Sequence, residues 1–444
     1  MPGDSSSSSP GPTLPREPIH RLTEPFRRFV HVEAAGGFVL LLATVTALVL
    51  ANSPWSETYT GFWKTEVGFR LGSFEMFHSL KHWISDGLMT IFFFVVGLEV
   101  KRELVLGELN QLRRAILPIA AALGGMVVPA SIYIALLAGD PAQRGWGIPM
   151  ATDIAFVVGC MAVLGPRIPR ILRVLLLSLA IVDDIGAILV IAIGYTAEIQ
   201  TTPLLLAFLG LGVVFVLGRL GVRSFEVYVV LGALIWVGFH ESGVHATIAG
   251  VILGLMTPAR SYVSVGLFGE MLQRAHDVVH GEGWESTQHR GGKIRMLQRA
   301  TRETIPPLEF LEESLHPWSS FVIMPLFALC NAGVAIQISD FTNPVAIAIM
   351  AGLVVGKPVG IVILSWLAVK IFTKSLPPGL NWGAMTGGGF LAGIGFTMAL
   401  FIAGLALDGE LLEAAKIGII AGSVVAAVIG VAILLWSLPK TVNS

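Results

Sequence analysis

Apolar runs separated by short charged or Gly- and Pro-containing breaks recur along the chain, at about 34–52, 84–100, 115–138, 146–165, 174–197, 203–218, 225–239, 243–257, 317–336, 344–369, 383–406 and 414–437. A helix rising 1.5 Å per residue needs about 20 such residues to cross a hydrocarbon core of roughly 30 Å. The pattern therefore predicts an all-α polytopic membrane protein with about 12 transmembrane helices. Two stretches break it. Residues 62–75, F-W-K-T-E-V-G-F-R-L-G-S-F-E, alternate with a partial period of two and carry Gly, which fits a small external hairpin or a plain loop equally well. Residues 258–312 hold Gly, His and many charges, an elongated cytoplasmic loop with room for a short amphipathic surface helix or a flexible insert. The opening M-P-G-D-S-S-S-S-S-P-G-P has no apolar h-region, so residues 1–22 read as a disordered cytoplasmic tail ahead of one membrane domain at 23–440.

Charge placement orients the runs. Of the 29 Lys and Arg, 23 fall in the N-terminal tail, the C-terminal end and the alternate loops after the second, fourth, sixth, eighth and tenth runs. The opposite loops carry only Lys64, Arg70, Lys81, Arg144 and Lys416, and Lys357 lies inside a run. Positively charged loops stay inside, so both termini are expected in the cytoplasm. Composition agrees: 54% of residues are hydrophobic and only 13% are charged, with a mean hydropathy of +0.77. A net charge of −1 and the lack of a basic stripe leave membrane lipid, not nucleic acid, as the partner. Cys160 and Cys330 both sit in apolar runs and imply no disulfide framework. No cofactor is expected.

The chemistry is concentrated in a few intramembrane charges. Residues 178–194, S-L-A-I-V-D-D-I-G-A-I-L-V-I-A-I-G, place Asp183 and Asp184 in mid-run. Two central Asp cost about 5–7 kcal/mol on insertion scales, and the run's 13 Leu, Ile and Val return about 4–8. So small a margin needs supporting neighbours, and acids at that depth mark a functional site. Adjacent helical residues diverge by about 100°, which points to two different roles. The other charges at depth are Asp153 and Lys357, with Asp86 and Glu99 nearer run ends. Three acids against one base make a site that can release protons and accept a hard cation through carboxylate, hydroxyl and carbonyl oxygens. Against this stands the simpler reading of one acid that merely pairs with Lys357. The fourth run carries Gly147, Pro149 and Thr152 before Asp153, and the eleventh has five glycines between Thr386 and Gly395. Both read as helices broken at mid-membrane, whose exposed ends Asp153 and Lys357 would compensate. Close helix packing is the alternative for most of those glycines. The two runs occupy matching places in triplets three-to-five and ten-to-twelve, which enter from opposite sides as an inverted repeat does.

The motifs A-T-D-I-A-F at 151–156, L-A-I-V-D-D-I-G-A-I at 179–188, G-K-P-V-G at 356–360 and G-I-G-F-T-M at 393–398 closely resemble the bacterial NhaA-type Na⁺/H⁺ antiporters. So do the stretches at 86–104, 242–251 and 315–318, and the likeness runs through nearly all of 30–437. That family is itself a standing example of inverted-repeat architecture, so the repeat is not an independent expectation. The resemblance implies a transporter rather than an enzyme: an electrogenic antiporter moving Na⁺ or Li⁺ outward against protons, regulated by pH. By motif position, Asp183 and Asp184 look like the pair that carries the transported Na⁺ and protons. Thr152 and Asp153 resemble the crossing residues of a broken helix, and Lys357 the base that pairs with Asp183. Glu99, Arg102, Glu103, Glu312 and His316 match positions at a pH-sensing cytoplasmic entrance, and His245 matches a histidine tied to the same response. The likeness also implies a homodimer through the hairpin near 62–75. One departure is P-P-L-E-F-L-E-E-S ahead of L-H-P-W, acidic where the familiar pattern is basic; another is the length of the 258–312 loop.

Three rivals carry different signatures. An intramembrane aspartyl protease places its two Asp on separate helices with G-x-G-D, which is absent here. A sodium-coupled symporter needs a pocket for an organic substrate. A channel needs a pore-loop signature, and none is seen.

Overall fold

The computed structural model describes residues 33–71, 74–196, 199–222, 224–261, 266–267, 269–273, 301 and 304–438. The tail at 1–22 and most of the 258–312 loop lie outside the described residues. Helices fall on each of the apolar runs. α1 is Glu33–Ala51 and α2 is Ser56–Lys64; after a hairpin come α3 (Leu80–Val105) and α4 (Leu112–Leu136). A 3₁₀ segment, Pro141–Met150, leads into α5, Ile154–Leu164. α6 is Arg170–Gly194, α7 Thr201–Arg219, α8 Phe225–Glu241 and α9 Thr247–Met256. α10 (Pro307–Trp318) runs through a π-turn into α11 (Met324–Asn331). α12 is Pro344–Thr373, α13 Trp382–Ala392, α14 Phe396–Ala406 and α15 Gly409–Ser437.

Among the described residues, six helices are long and apolar enough to span on their own, and nine spans result if each bent pair counts as one. The other three of the twelve predicted runs also carry helices, but α8 is 17 residues long, α9 is 10, and the helix on the ninth run includes the polar Ser314, His316, Ser319 and Ser320. Two of the bent pairs are the expected broken helices, the 3₁₀ segment with the α5 arm (41°) and α13 with α14 (45°). The third, α1 with α2, turns by 114°.

Two expectations are corrected. The hairpin lies at Glu66–Leu71 (β1) and Phe74–Ser79 (β2), paired antiparallel from Glu66↔Ser79 to Leu71↔Phe74, and not at 62–75. Residues 62–64 instead end α2, which the Tyr59 hydroxyl ties to the Leu329 carbonyl at 2.5 Å. The elongated loop also ends earlier than 312. Pro307 opens α10 at the first helical position, where proline's missing N–H has no partner to lose, and Glu312 is helical.

The helices sort into a large core and a smaller one. The smaller joins α7, α8 and α9 through Ala207, Leu211, Ile235, Phe239 and Ala249. α7 keeps Leu205, Leu209 and Phe215 on its outside, the side a lipid would cover. α6 is the most enclosed of the long helices, with 56% of its apolar window buried. α4 and α12 approach so closely that a Cβ on Gly360 would sit 2.0 Å from the Gly124 carbonyl oxygen. Small residues at such a seam let two backbones touch, and here the contact brings Lys357, one turn earlier, into the centre of the bundle.

Candidate functional site

Two helix breaks meet at the middle of the molecule. Residues 151–153 leave helical geometry between the 3₁₀ segment and α5, and residues 393–395 do so between α13 and α14. Four helix ends are therefore buried together, each with unsatisfied backbone groups. Each receives a partner, from the opposite break, from its own cap or from α12. The Asp153 N–H donates to the Ile394 carbonyl at 2.7 Å. The Asp153 carboxylate caps α5 by accepting from the Phe156 N–H at 3.3 Å. It also accepts from the Thr397 N–H at 3.0 Å and from the Thr397 hydroxyl, at the start of α14. One anion thus compensates two positive helix N-termini. On the negative side, the Lys357 ammonium donates to the Met150 carbonyl, which ends the 3₁₀ segment.

α6 runs beside this crossing and supplies the acids. Asp183 Oδ2 lies 2.8 Å from Lys357 Nζ, with both side chains fully buried. The Thr152 hydroxyl is 2.5 Å from the same Oδ2 and 3.1 Å from the Ala392 carbonyl, and its single proton can serve only one of them. Asp183 Oδ1 is buried with no partner. Asp184, 3% exposed, accepts no protein hydrogen bond among the described residues; its strongest like-charge neighbour is Glu99 on α3. The two acids face different surroundings, as their helical divergence requires. The structure brings Thr152, Asp153, Asp183 and Lys357 into one bonded network, with Asp184 at its edge.

The remaining sequence candidates lie elsewhere. The Arg102 guanidinium pairs with Glu312 of α10. Glu312 precedes the apolar part of its run; burial pushes its carboxyl above the usual range and Arg102 pulls it back. Glu103 Oε1 accepts from the Ser178 hydroxyl at 3.1 Å and the Glu108 N–H at 2.9 Å, which ties α3 to α6. His316 lies one turn after Glu312 on α10. His245 is apart from this region: its Nε2 sits 2.8 Å from the carbonyl of Tyr195, past the other end of α6. Seventeen helical residues separate Ser178 from Tyr195, roughly 25 Å.

Thr397 escaped the sequence reading, although it lies inside a quoted motif. A hydroxyl two residues after Gly395 is the residue type that could bond across the break, and that position was its only signal. The carbonyls of Met150, Ala392 and Ile394 leave no side-chain signature.

Comparison with known proteins now adds the lineage. The chain is 55% identical to the Na⁺/H⁺ antiporter NhaA of Rhodopirellula baltica over 427 residues, 96% of this chain and 97% of that one. It is 52% identical to the NhaA of Rhizobium meliloti, over 94% of this chain and 95% of that one. An NhaA of Acidiphilium cryptum is 50% identical over 99% of this chain and 97% of its own length. The Na⁺/H⁺ antiporter 1 family model matches residues 27–434, and the chain belongs to that family.

Proposed function

We propose that this sodium/proton antiporter exchanges cytoplasmic Na⁺ or Li⁺ for external protons at Asp183 and Asp184, electrogenically and under pH control. The observation that carries the reading is the orphaned Asp183 Oδ1 beside an Asp184 that no protein donor satisfies. A buried anionic oxygen without a donor is costly unless a cation or a proton occupies it. Either occupant suits these oxygens, and both cannot bind together. That exclusion couples the two fluxes, as linkage requires.

Asp153 takes no proton in this scheme, because three donors already fix it as a carboxylate. Its work is to hold the crossing together. Lys357 neutralises Asp183 while the site waits for an ion, and an arriving Na⁺ competes with the ammonium for Oδ2. Protons leave from Asp184 and from the Asp183–Lys357 pair, so two protons exchange for one ion. One net charge then moves per cycle, worth about 2.3 kcal/mol per 100 mV of membrane potential. Turning of the two half-bundles about the crossing exposes the site alternately to either side.

The same reading places the protein in a bacterial inner membrane with both termini inside, serving pH and sodium homeostasis. The Arg102–Glu312 junction, with Glu99, Glu103 and His316, forms the cytoplasmic entrance where pH is read. A homodimer forms through the hairpin, whose Val67 and Phe77 are both 48% exposed and whose two strands leave open edges. The test is fluorescence dequenching in everted vesicles after adding NaCl, LiCl or KCl across a pH series. Na⁺ and Li⁺ are expected to collapse the proton gradient and K⁺ to leave it; equal responses to all three would overturn the reading.

A further inference from the structure

At one end of α3, far along the chain from the crossing, three imidazoles converge. His78 is the penultimate residue of β2, His82 the third of α3, and His240 the penultimate of α8. His78 and His240 are 162 residues apart in sequence, yet their Nε2 atoms are 3.3 Å apart. One ring nitrogen from each of the three lies within 4.8 Å of the others. Asp86 joins them: its Oδ2 is 3.5 Å from His82 Nε2 and 3.8 Å from His240 Nδ1. Protein contacts alone do not satisfy this cluster, since His82 Nε2 is buried without a hydrogen-bond partner.

The geometry suits a borderline divalent ion. A tetrahedral site with metal–nitrogen bonds of about 2.0–2.1 Å sets its ligand atoms roughly 3.3–3.4 Å apart, the separation already present between His78 and His240. Since the three ligand atoms already lie within 4.8 Å of one another, bringing His82 in takes at most roughly 1.5 Å of side-chain adjustment. Three imidazoles form a donor set that Zn²⁺, Ni²⁺ and Cu²⁺ favour, and not one for Na⁺, Mg²⁺ or Ca²⁺. Asp86 faces the other ring nitrogen of His240, Nδ1, where a carboxylate orients a ligating ring. The rings are also held in place from outside. Trp236 stacks on His240 at 5.4 Å, Trp83 stacks on Trp236 at 6.0 Å, and His78 stacks on His82 at 4.3 Å.

We propose that His78, His82 and His240, oriented by Asp86, form a site for one divalent transition-metal ion of the Zn²⁺ class that clamps the hairpin to α3 and α8. The clamp joins elements of different packing units, because α8 belongs to the smaller core and α3 to the larger. Charge bias assigns this face to the outside, where such an ion would be met without crossing the membrane. Bound metal fixes the hairpin's angle to the bundle.

Equilibrium dialysis of the purified, tag-free full-length protein in detergent with ZnCl₂ tests this, alongside visible absorption of the Co²⁺ form. The expected result is one Zn²⁺ per chain at micromolar or lower dissociation constant, with Co²⁺ bands characteristic of tetrahedral nitrogen ligation. His240→Gln and, separately, His78→Gln should each weaken binding at least tenfold and abolish those bands, while His20→Gln in the tail should change neither. Zn²⁺ should also raise the melting temperature of the unsubstituted protein, a readout that needs no variant. Absence of saturable Zn²⁺ binding by the unsubstituted protein, or equal binding by both cluster variants, would overturn the proposal.

Discussion

The crossing and the Arg102–Glu312 junction both place charges at helix ends, but they hold them differently. At the crossing, Asp153, Asp183 and Lys357 are at most 1% exposed, and each charge faces a helix terminus or a partner of opposite sign. At the junction the Arg102 side chain is 48% exposed while Glu312 is almost covered. The first arrangement fixes charge: no water is available to replace a lost partner, so a change there costs the full desolvation of whatever is left behind. The second leaves charge adjustable, because water and salt reach one member of the pair. The proposed function assigns exchange to the first region and its regulation to the second.

The largest effect is expected at the acid without a donor. Asp184→Asn should reduce Na⁺-driven exchange in everted vesicles to the background of empty vesicles, a loss of at least a hundredfold, while leaving the protein folded. Retained exchange in that variant would break the contrast between the regions at its strong end.

Asp153→Ala comes next. It strips an acceptor from the Phe156 and Thr397 backbone donors, and each orphaned buried group costs about 1–3 kcal/mol. A fall in thermal stability of about 2–6 kcal/mol should appear in a denaturation scan, even with transport ions absent. Gly360→Ala should cost less, about 1–3 kcal/mol, since the new methyl meets the Gly124 carbonyl and the seam must open. An opened seam also displaces Lys357, so exchange should slow together with the stability loss.

Arg102→Ala is the smallest in stability, about 0–1 kcal/mol for a partly exposed pair. Its effect should show instead in the pH profile. Arg102 lowers the pKa of Glu312, so its removal raises that pKa further, and Glu312 keeps its proton to higher pH. The activity profile should move toward alkaline pH with little loss at its maximum. A profile unchanged by the substitution would place pH sensing elsewhere.

How much of this could be read from the chain depended on how locally each feature is encoded. The apolar runs and the breaks at Thr152–Asp153 and at the glycines ending in Gly395 are short-range patterns, and the structure puts helices and bends on them. That Lys357 pairs with an acid was legible because few charges exist at that depth; that the acid is Asp183 came only from the family resemblance. Residues 62–64, read as the start of the hairpin, end a helix that Tyr59 ties to a carbonyl 270 residues away, a contact no local alternation can anticipate. The π-turns within the ninth and tenth runs left no trace in an apolar pattern that continues unbroken through them. His240 was invisible as a partner of His78 and His82 for the same reason as Leu329 was for Tyr59: only the folded chain makes them neighbours.

The central claim is that sodium and protons compete for the carboxylates of Asp183 and Asp184. Its most direct test is proton release from purified, weakly buffered protein on addition of NaCl, read with a pH indicator. The unsubstituted protein should release protons in proportion to bound Na⁺, and Asp184→Asn should release none. Saturable Na⁺ binding without proton release, or the same release from Asp184→Asn, would contradict the account.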